Sequence, residues 1–220
     1  MVSDSEAAEI NASLLVQGPK KPCLVLAHGA GAGMDSEWMQ RVSDLLVARG
    51  VGVVRFEFPY MQQRRATGSR RPPDRQPRLL EHWQQVVASL DTPAEQLVIA
   101  GKSMGGRMAS MLADEMGVAG LVCLGYPFHP QGKPEKLRTE HLLALKTPSL
   151  FIQGSRDALG NRDEVKGYGL SSEIELLWLE DGDHDMKPRV KSGLTQAAHL
   201  NLLADRVADF VHACSLGHVD

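Results

Sequence analysis

The sequence is poor in cysteine: Cys23, Cys123 and Cys214 are widely spaced, odd in number and contain no C-x-x-C pair. This argues against ligand or redox roles, and Cys23 and Cys123, inside apolar runs, read as reduced core residues. The opening MVSDSEAAEINASLL lacks the basic start and continuous apolar core of a secretion signal, and no stretch approaches the length of a membrane span. A soluble, cytoplasmic protein is expected. Neither sign of charge dominates: a formal net charge of −3 gives no global pull toward nucleic acid or an anionic membrane, and neither is expected as a partner. Repeats, heptads and interdomain linkers are also missing. With 43% hydrophobic residues, the 220-residue chain suits one domain over 1–220, in which 1–20 form an N-terminal arm or edge strand.

What the sequence does have is a series of short apolar runs at 23–28, 51–58, 96–101, 119–126, 149–154 and 174–179. Most are nearly continuous in Val, Leu and Ile, as strands covered on both faces should be. Helical candidates fall near 36–49, 78–90, 103–116, 135–146, 161–168 and 192–213. This alternation predicts an α/β fold: a doubly wound, mostly parallel sheet with helices on both faces. EINASLLVQG, residues 9–18, adds a candidate edge strand.

Residues 100–110, AGKSMGGRMAS, admit two chemistries. A phosphate-binding Walker loop needs glycine five positions before the Gly of Gly-Lys-Ser, and Gln96 stands there, followed by the strand formers Leu97-Val98-Ile99-Ala100. A G-x-S-x-G nucleophile elbow needs a strand, a sharp turn and a helix, with small residues two positions either side of the serine. Gly101 and Gly105 meet that demand around Ser103, and Gly106 adds room where the helix begins. The plainer alternative is a glycine-rich turn with a capping serine.

A serine nucleophile needs a base, and the base needs an acid to fix its tautomer. In chain order after Ser103 come Asp157, just beyond the run 149–154, and His184, beyond 174–179. All three lie past the C-terminal ends of parallel strands, the edge where ligands bind in this architecture. Asp163 competes with Asp157 but falls in a helical segment, and His199, His212 and His218 follow the last strand. Asp181, Asp183, His184 and Asp185 resemble a metal cluster superficially, but without a nearby Cys or second His no metal or organic cofactor is expected. His28-Gly29-Ala30-Gly31-Ala32-Gly33 fails as a dinucleotide fingerprint, which would need glycine where Met34 stands. It fits an oxyanion loop, in which the Ala30 and Met104 backbone amides hold the charge of a tetrahedral intermediate and His28 braces the turn.

With elbow, acid–base order and glycine loop assembled, the chain resembles α/β-hydrolases over nearly its whole length. LAHGAGAGMDSEWM, RFEFPYMQQRRATGSRRPPDR, AGKSMGGRMAS and GYPFHPQGKPEKLRTEHL are similar to the small KANL/Tex-type branch, related in outline to dienelactone hydrolases. The resemblance implies a compact hydrolase core with Ser103, Asp157 and His184 at the triad positions. Serine replaces the cysteine nucleophile of dienelactone hydrolases.

The segment 59–78 carries Arg64, Arg65, Arg70, Arg71, Arg75 and Arg78 against the lone acid Asp74 and has no apolar periodicity. It reads as a long loop, either clipped to the body by ion pairs such as one to Glu57 or presenting Arg70 and Arg71 to an anionic substrate. His129, in GYPFHP, is a further candidate for the pocket wall. The interval between Tyr126 and Thr147 is too short for a cap domain, so an open cleft is expected. Together these features predict a serine hydrolase of carboxylesterase type, acting on small soluble esters or thioesters. The rival from another class is a hydrolase-shaped binding or scaffold protein with a vestigial site.

Overall fold

The computed structural model describes residues 4–216. Its strands are Leu15–Gln17 (β1), Cys23–Ala27 (β2), Gly52–Phe56 (β3), Leu97–Lys102 (β4), Gly120–Leu124 (β5), Ser149–Gly154 (β6) and Ile174–Leu179 (β7). They form one seven-stranded sheet in the order β1-β3-β2-β4-β5-β6-β7. Every pairing is parallel except that of the edge strand β1, which runs antiparallel along β3 with Val16 opposite Val54. Every residue of β2 through β6 is buried, which is why those segments read as unbroken apolar runs.

The main helices are Asp4–Ala12 (α1), Glu37–Val47 (α2), Pro59–Thr67 (α3), Gln76–Ser89 (α4), Met104–Met116 (α5), Arg162–Val165 (α6) and Gln196–Leu216 (α7). Side chains alternate across a strand, so each strand feeds two cores. Val25, Ile99, Cys123 and Phe151 meet Trp83, Val86, Met108 and Leu112 from α4 and α5 on one face. Leu24, Leu26, Val98, Val122 and Ile152 meet Val42, Leu46, Leu203 and Val207 from α2 and α7 on the other. The methionines of α5 include the buried core residue Met108, packed where a flexible thioether fills irregular space.

Three elements depart from the reading of the sequence. The N-terminal arm contains the helix α1 before the short edge strand, and α1 packs on α4. The arginine-rich segment contains α3, which starts with Pro59 in its first turn and stops at Gly68, left-handed at φ 69°. Only Tyr60 and Met61 of α3 are buried, too few to write a 3.6-residue period, although the proline and glycine bracket it as helix ends usually are. Where a helix was expected over 135–146 there is only a 3₁₀ turn, Glu140–Ala144, with Leu142 as its one buried residue. Among the described residues no cap domain interrupts the core.

The chain leaves β2 for β3 on one side and then returns to β4 on the other, so β2 and β4 flank the point where winding direction reverses. Loops leaving two such strands diverge to opposite sheet faces and open a crevice between them. Among the described residues, no helix is long and apolar enough to cross a membrane.

Trp83 anchors the α4 face, fully buried with its ring edge-on to Phe56 at 4.7 Å between centroids. Trp83→Ala should therefore cost about 3–5 kcal/mol of stability, measured as a lowered urea midpoint by far-ultraviolet circular dichroism.

Candidate active site

Ser103 sits between the last residue of β4 and the first of α5, with φ 51° and ψ −116°. A side chain in that region is strained and persists only where its surroundings enforce it. The enforcing contacts are glycines. A Cβ on Gly101 would collide with the backbone of Gly105 and Gly106; one on Gly105 would lie 2.6 Å from the His28 carbonyl oxygen, and one on Gly106 2.6 Å from that of Gly101. Strand, turn and helix are thus pressed together as only glycine permits. The Ser103 hydroxyl makes no capping bond to α5.

It points instead to His184: the hydroxyl donates to Nε2 at 2.9 Å, and Nδ1–H donates to Asp157 Oδ2 at 2.8 Å. The carboxylate accepts only, which assigns the proton to Nδ1 and leaves Nε2 free to accept. Asp157 is fully buried after β6, where Gln153 Nε2 donates to Oδ2 at 2.9 Å and the Leu159 amide to Oδ1 at 2.8 Å. Both carboxylate oxygens are therefore fixed. His184 follows β7 on a turn tied by Asp181, which takes the Arg189 amide at 2.8 Å and pairs with Arg156 at 3.0 Å. Asp183 closes the turn further, accepting the amides of Asp185 and Lys187, each at 2.9 Å.

Lys102 adds a support that sequence reasoning missed. Its ammonium donates to the His184 carbonyl at 2.7 Å, pairs with Asp185 at 3.2 Å and lies over the Trp38 ring at 5.5 Å. Burial pushes the ammonium below its usual range, against the opposing pull of Asp185, Asp157 and Asp183. The Gly-Lys-Ser lysine thus reaches the histidine loop. Gly125, at φ 67°, makes room for it: a Cβ there would stand 3.0 Å from the His184 carbonyl oxygen and 3.3 Å from the lysine Nζ.

The glycine loop after β2 faces the elbow. His28, buried, accepts the Phe58 amide at Nε2 (3.1 Å) and so carries its proton on Nδ1, which donates to the Gly29 carbonyl at 2.6 Å. Burial lowers its pKa and favours this neutral form. The Tyr60 hydroxyl lies 3.2 Å from the Gly29 carbonyl and 3.0 Å from that of Ala30. Because a trans peptide directs C=O and N–H to opposite sides, anchoring the Gly29 carbonyl turns the Ala30 N–H away from His28 and Tyr60. The Met104 N–H, at the start of α5, has no acceptor within its helix.

Ser103 and Ala30 line two cavities. One, about 340 Å³, runs along Gly29–Ala32, Trp38 and Met39 to His184; the other, about 450 Å³, runs along Met104, Leu79 and Pro127 to Arg107 and Arg138. Arg70 and Arg71 line neither: both are exposed. Arg65 carries the expected clip, pairing with Glu57 at 2.6 Å and Asp35 at 2.8 Å. His129 is buried, 2.9 Å from the Pro130 carbonyl and 3.3 Å from Glu164, and braces its loop outside both cavities. Asp163 is exposed and pairs with Lys166 at 2.9 Å; His199 is buried with Nδ1 2.9 Å from the Met186 carbonyl, and Nε2 of His212 lies 3.2 Å from that of Arg49. His218 lies outside the described residues.

A mostly parallel sheet with a glycine-crowded elbow after a central strand defines the α/β-hydrolase class of folds. Residues 20–212 match the family described as alpha/beta hydrolase domain, and the chain belongs to it. It is similar to an alpha-beta serine hydrolase homologue from Coxiella burnetii, with a TM-score of 0.66 at 19% identity over 89% of each chain. A dienelactone hydrolase from Anabaena variabilis gives 0.63 at 20% identity over 87% of this chain and 88% of that one. The esterase domain of a Rhodothermus marinus protein gives 0.61 at 13% identity over 89% and 90%. At such identities the likeness is one of fold.

Gly105→Ala should destabilise the chain by about 1–3 kcal/mol, since the new methyl meets unyielding backbone. Urea unfolding checks this.

Proposed function

We propose that the protein is a serine hydrolase that cleaves ester or thioester bonds of small soluble substrates through an acyl-enzyme. The observation that carries this reading is the unbroken hydrogen-bonded chain Ser103–His184–Asp157 at 2.9 and 2.8 Å. Ser103 Oγ attacks the carbonyl carbon while its proton passes to His184 Nε2. The developing imidazolium is stabilised by Asp157 on the far side of the ring. The carbonyl oxygen takes up negative charge between the Ala30 and Met104 amides, where the N-terminal dipole of α5 adds to the stabilisation. Collapse of the tetrahedral intermediate breaks the bond to the leaving oxygen or sulfur, which receives the proton from Nε2. Water then attacks the acyl-serine, with His184 acting as base and afterwards returning a proton to Oγ.

Two cavities meeting at Ser103 suit a substrate with a substituent on each side of the scissile bond. The absence of a cap domain favours small, water-soluble substrates over long lipids. Membership of the alpha/beta hydrolase family supports a hydrolase, and we place its work in the cytoplasm.

Ser103→Ala should reduce p-nitrophenyl acetate turnover to the uncatalysed background with an unchanged circular dichroism spectrum; turnover near that of the parent would refute the assignment. Asp157→Asn should keep the fold and lower kcat by roughly a thousandfold or more, read in the same assay.

A further inference from the structure

The larger cavity beside Ser103 holds two cations and little to balance them. Arg107 and Arg138 both line it, each half-buried, and neither has a carboxylate within ion-pair distance among the described residues. Among the described residues the Arg107 guanidinium has one polar contact, from Nη2 to Gln76 Oε1 at 3.1 Å, and its Nε is buried with no hydrogen-bond partner. A buried donor left unmatched is costly. The one carboxylate on the cavity wall, Asp74, is engaged elsewhere: it accepts the Tyr60 amide at 2.9 Å and faces Arg78 at 3.6 Å.

Both arginines are anchored through their backbones, and Gln76 holds the Arg107 guanidinium. Arg107 stands one helical turn beyond Ser103, its amide bonded to the Ser103 carbonyl at 3.0 Å, so its side chain rises on the nucleophile's side of α5. Arg138 is pinned through its backbone, its amide on the Phe128 carbonyl and its carbonyl on the Tyr126 hydroxyl, each at 2.8 Å. The two cations feel each other: burial and the charge of Arg107 lower the pKa of Arg138. The nearby His141 adds no third charge at neutral pH, because burial and Arg107 hold it down to about 4, with Nε2 2.8 Å from the Ser110 hydroxyl. The smaller cavity differs, since its cation, Lys102, is already bound to the His184 carbonyl and Asp185.

We propose that Arg107 and Arg138 form a carboxylate-binding subsite, and that the ester cleaved at Ser103 carries a carboxylate on the part lodged in this cavity. A carboxylate there would take two-pronged hydrogen bonds from the two guanidinium groups and would relieve their mutual repulsion. This deepens the serine-hydrolase reading and rests on it for the reaction, but the anion site itself can be read without turnover.

The test uses two matched ester pairs. One varies the acyl side, mono-p-nitrophenyl adipate against its methyl ester; the other varies the leaving group, 4-acetoxybenzoate against its methyl ester. The wild-type protein should favour the carboxylate member of at least one pair by about fivefold or more in kcat/KM. Arg107→Gln and Arg138→Gln should each remove most of that preference, and Arg138→Lys should restore part of it. Circular dichroism would show that the variants fold. A smaller preference in both pairs, or one that survives both glutamine substitutions, overturns the proposal. Adipate titrated by calorimetry supplies the readout that does not need catalysis: saturable binding weakened at least fivefold by Arg138→Gln is expected, and no binding counts against the site. Adipate binding without turnover of any ester would sink the hydrolase reading and leave the subsite standing. Turnover with no carboxylate preference would do the reverse.

Discussion

The site depends on one steric constraint, the crowding of Gly101, Gly105 and Gly106 that holds Ser103 at φ 51°. An ordinary strand-to-helix connection would turn the serine back to cap the helix, its commonest use at that position. Here the backbone of α5 is drawn so close to β2 and β4 that the hydroxyl emerges beyond the sheet edge, clear of its own helix. Everything else in the site is arranged around the direction that hydroxyl takes. The strain at Ser103 is offset by the well-packed cores on either side of β4, all of whose residues are buried.

Topology then supplies the partners. Reversal of winding between β2 and β4 sets the glycine loop opposite the elbow, and the parallel strands β6 and β7 deliver Asp157 and His184 to the same edge. Strand order brings these loops to one edge of the sheet, and hydrogen bonds complete the alignment. Gln153 and the Leu159 amide fix the Asp157 carboxylate, while Lys102 and the Asp181 and Asp183 turn bonds fix the backbone that carries His184. Lys102 reaches from the position before Ser103 to the loop that carries His184, a contact spanning 82 residues of sequence.

The elbow, the positions of Asp157 and His184 and the glycine loop were legible in the sequence because each is written locally: small residues around Ser103, turn residues immediately after apolar runs, glycines after the first strong strand. The central strands were equally legible, since burial on both faces leaves an unbroken apolar run. Features whose meaning lies in contacts across the fold were not. Helix α3 buries only Tyr60 and Met61 and so writes no period, and α1 is a short polar helix whose role comes from packing on α4. The density of arginines in 59–78 points to Arg70 and Arg71, yet they are exposed, while the arginines that line the larger cavity, Arg107 and Arg138, lie outside that run and far apart in sequence. Linear charge density reports where cations are numerous; only the fold reports where they lack a counterion.

The central claim is that Ser103 is an activated nucleophile, and covalent labelling tests it most directly. A fluorophosphonate reacts at a serine whose hydroxyl is deprotonated by a neighbouring base and whose adduct is held by an oxyanion site. Intact-mass analysis of the wild-type protein should show one adduct, mapped by peptide sequencing to Ser103 and absent from the His184→Ala variant. A wild-type protein that stays unlabelled, or an adduct that persists when Ser103 is replaced by alanine, would contradict the account.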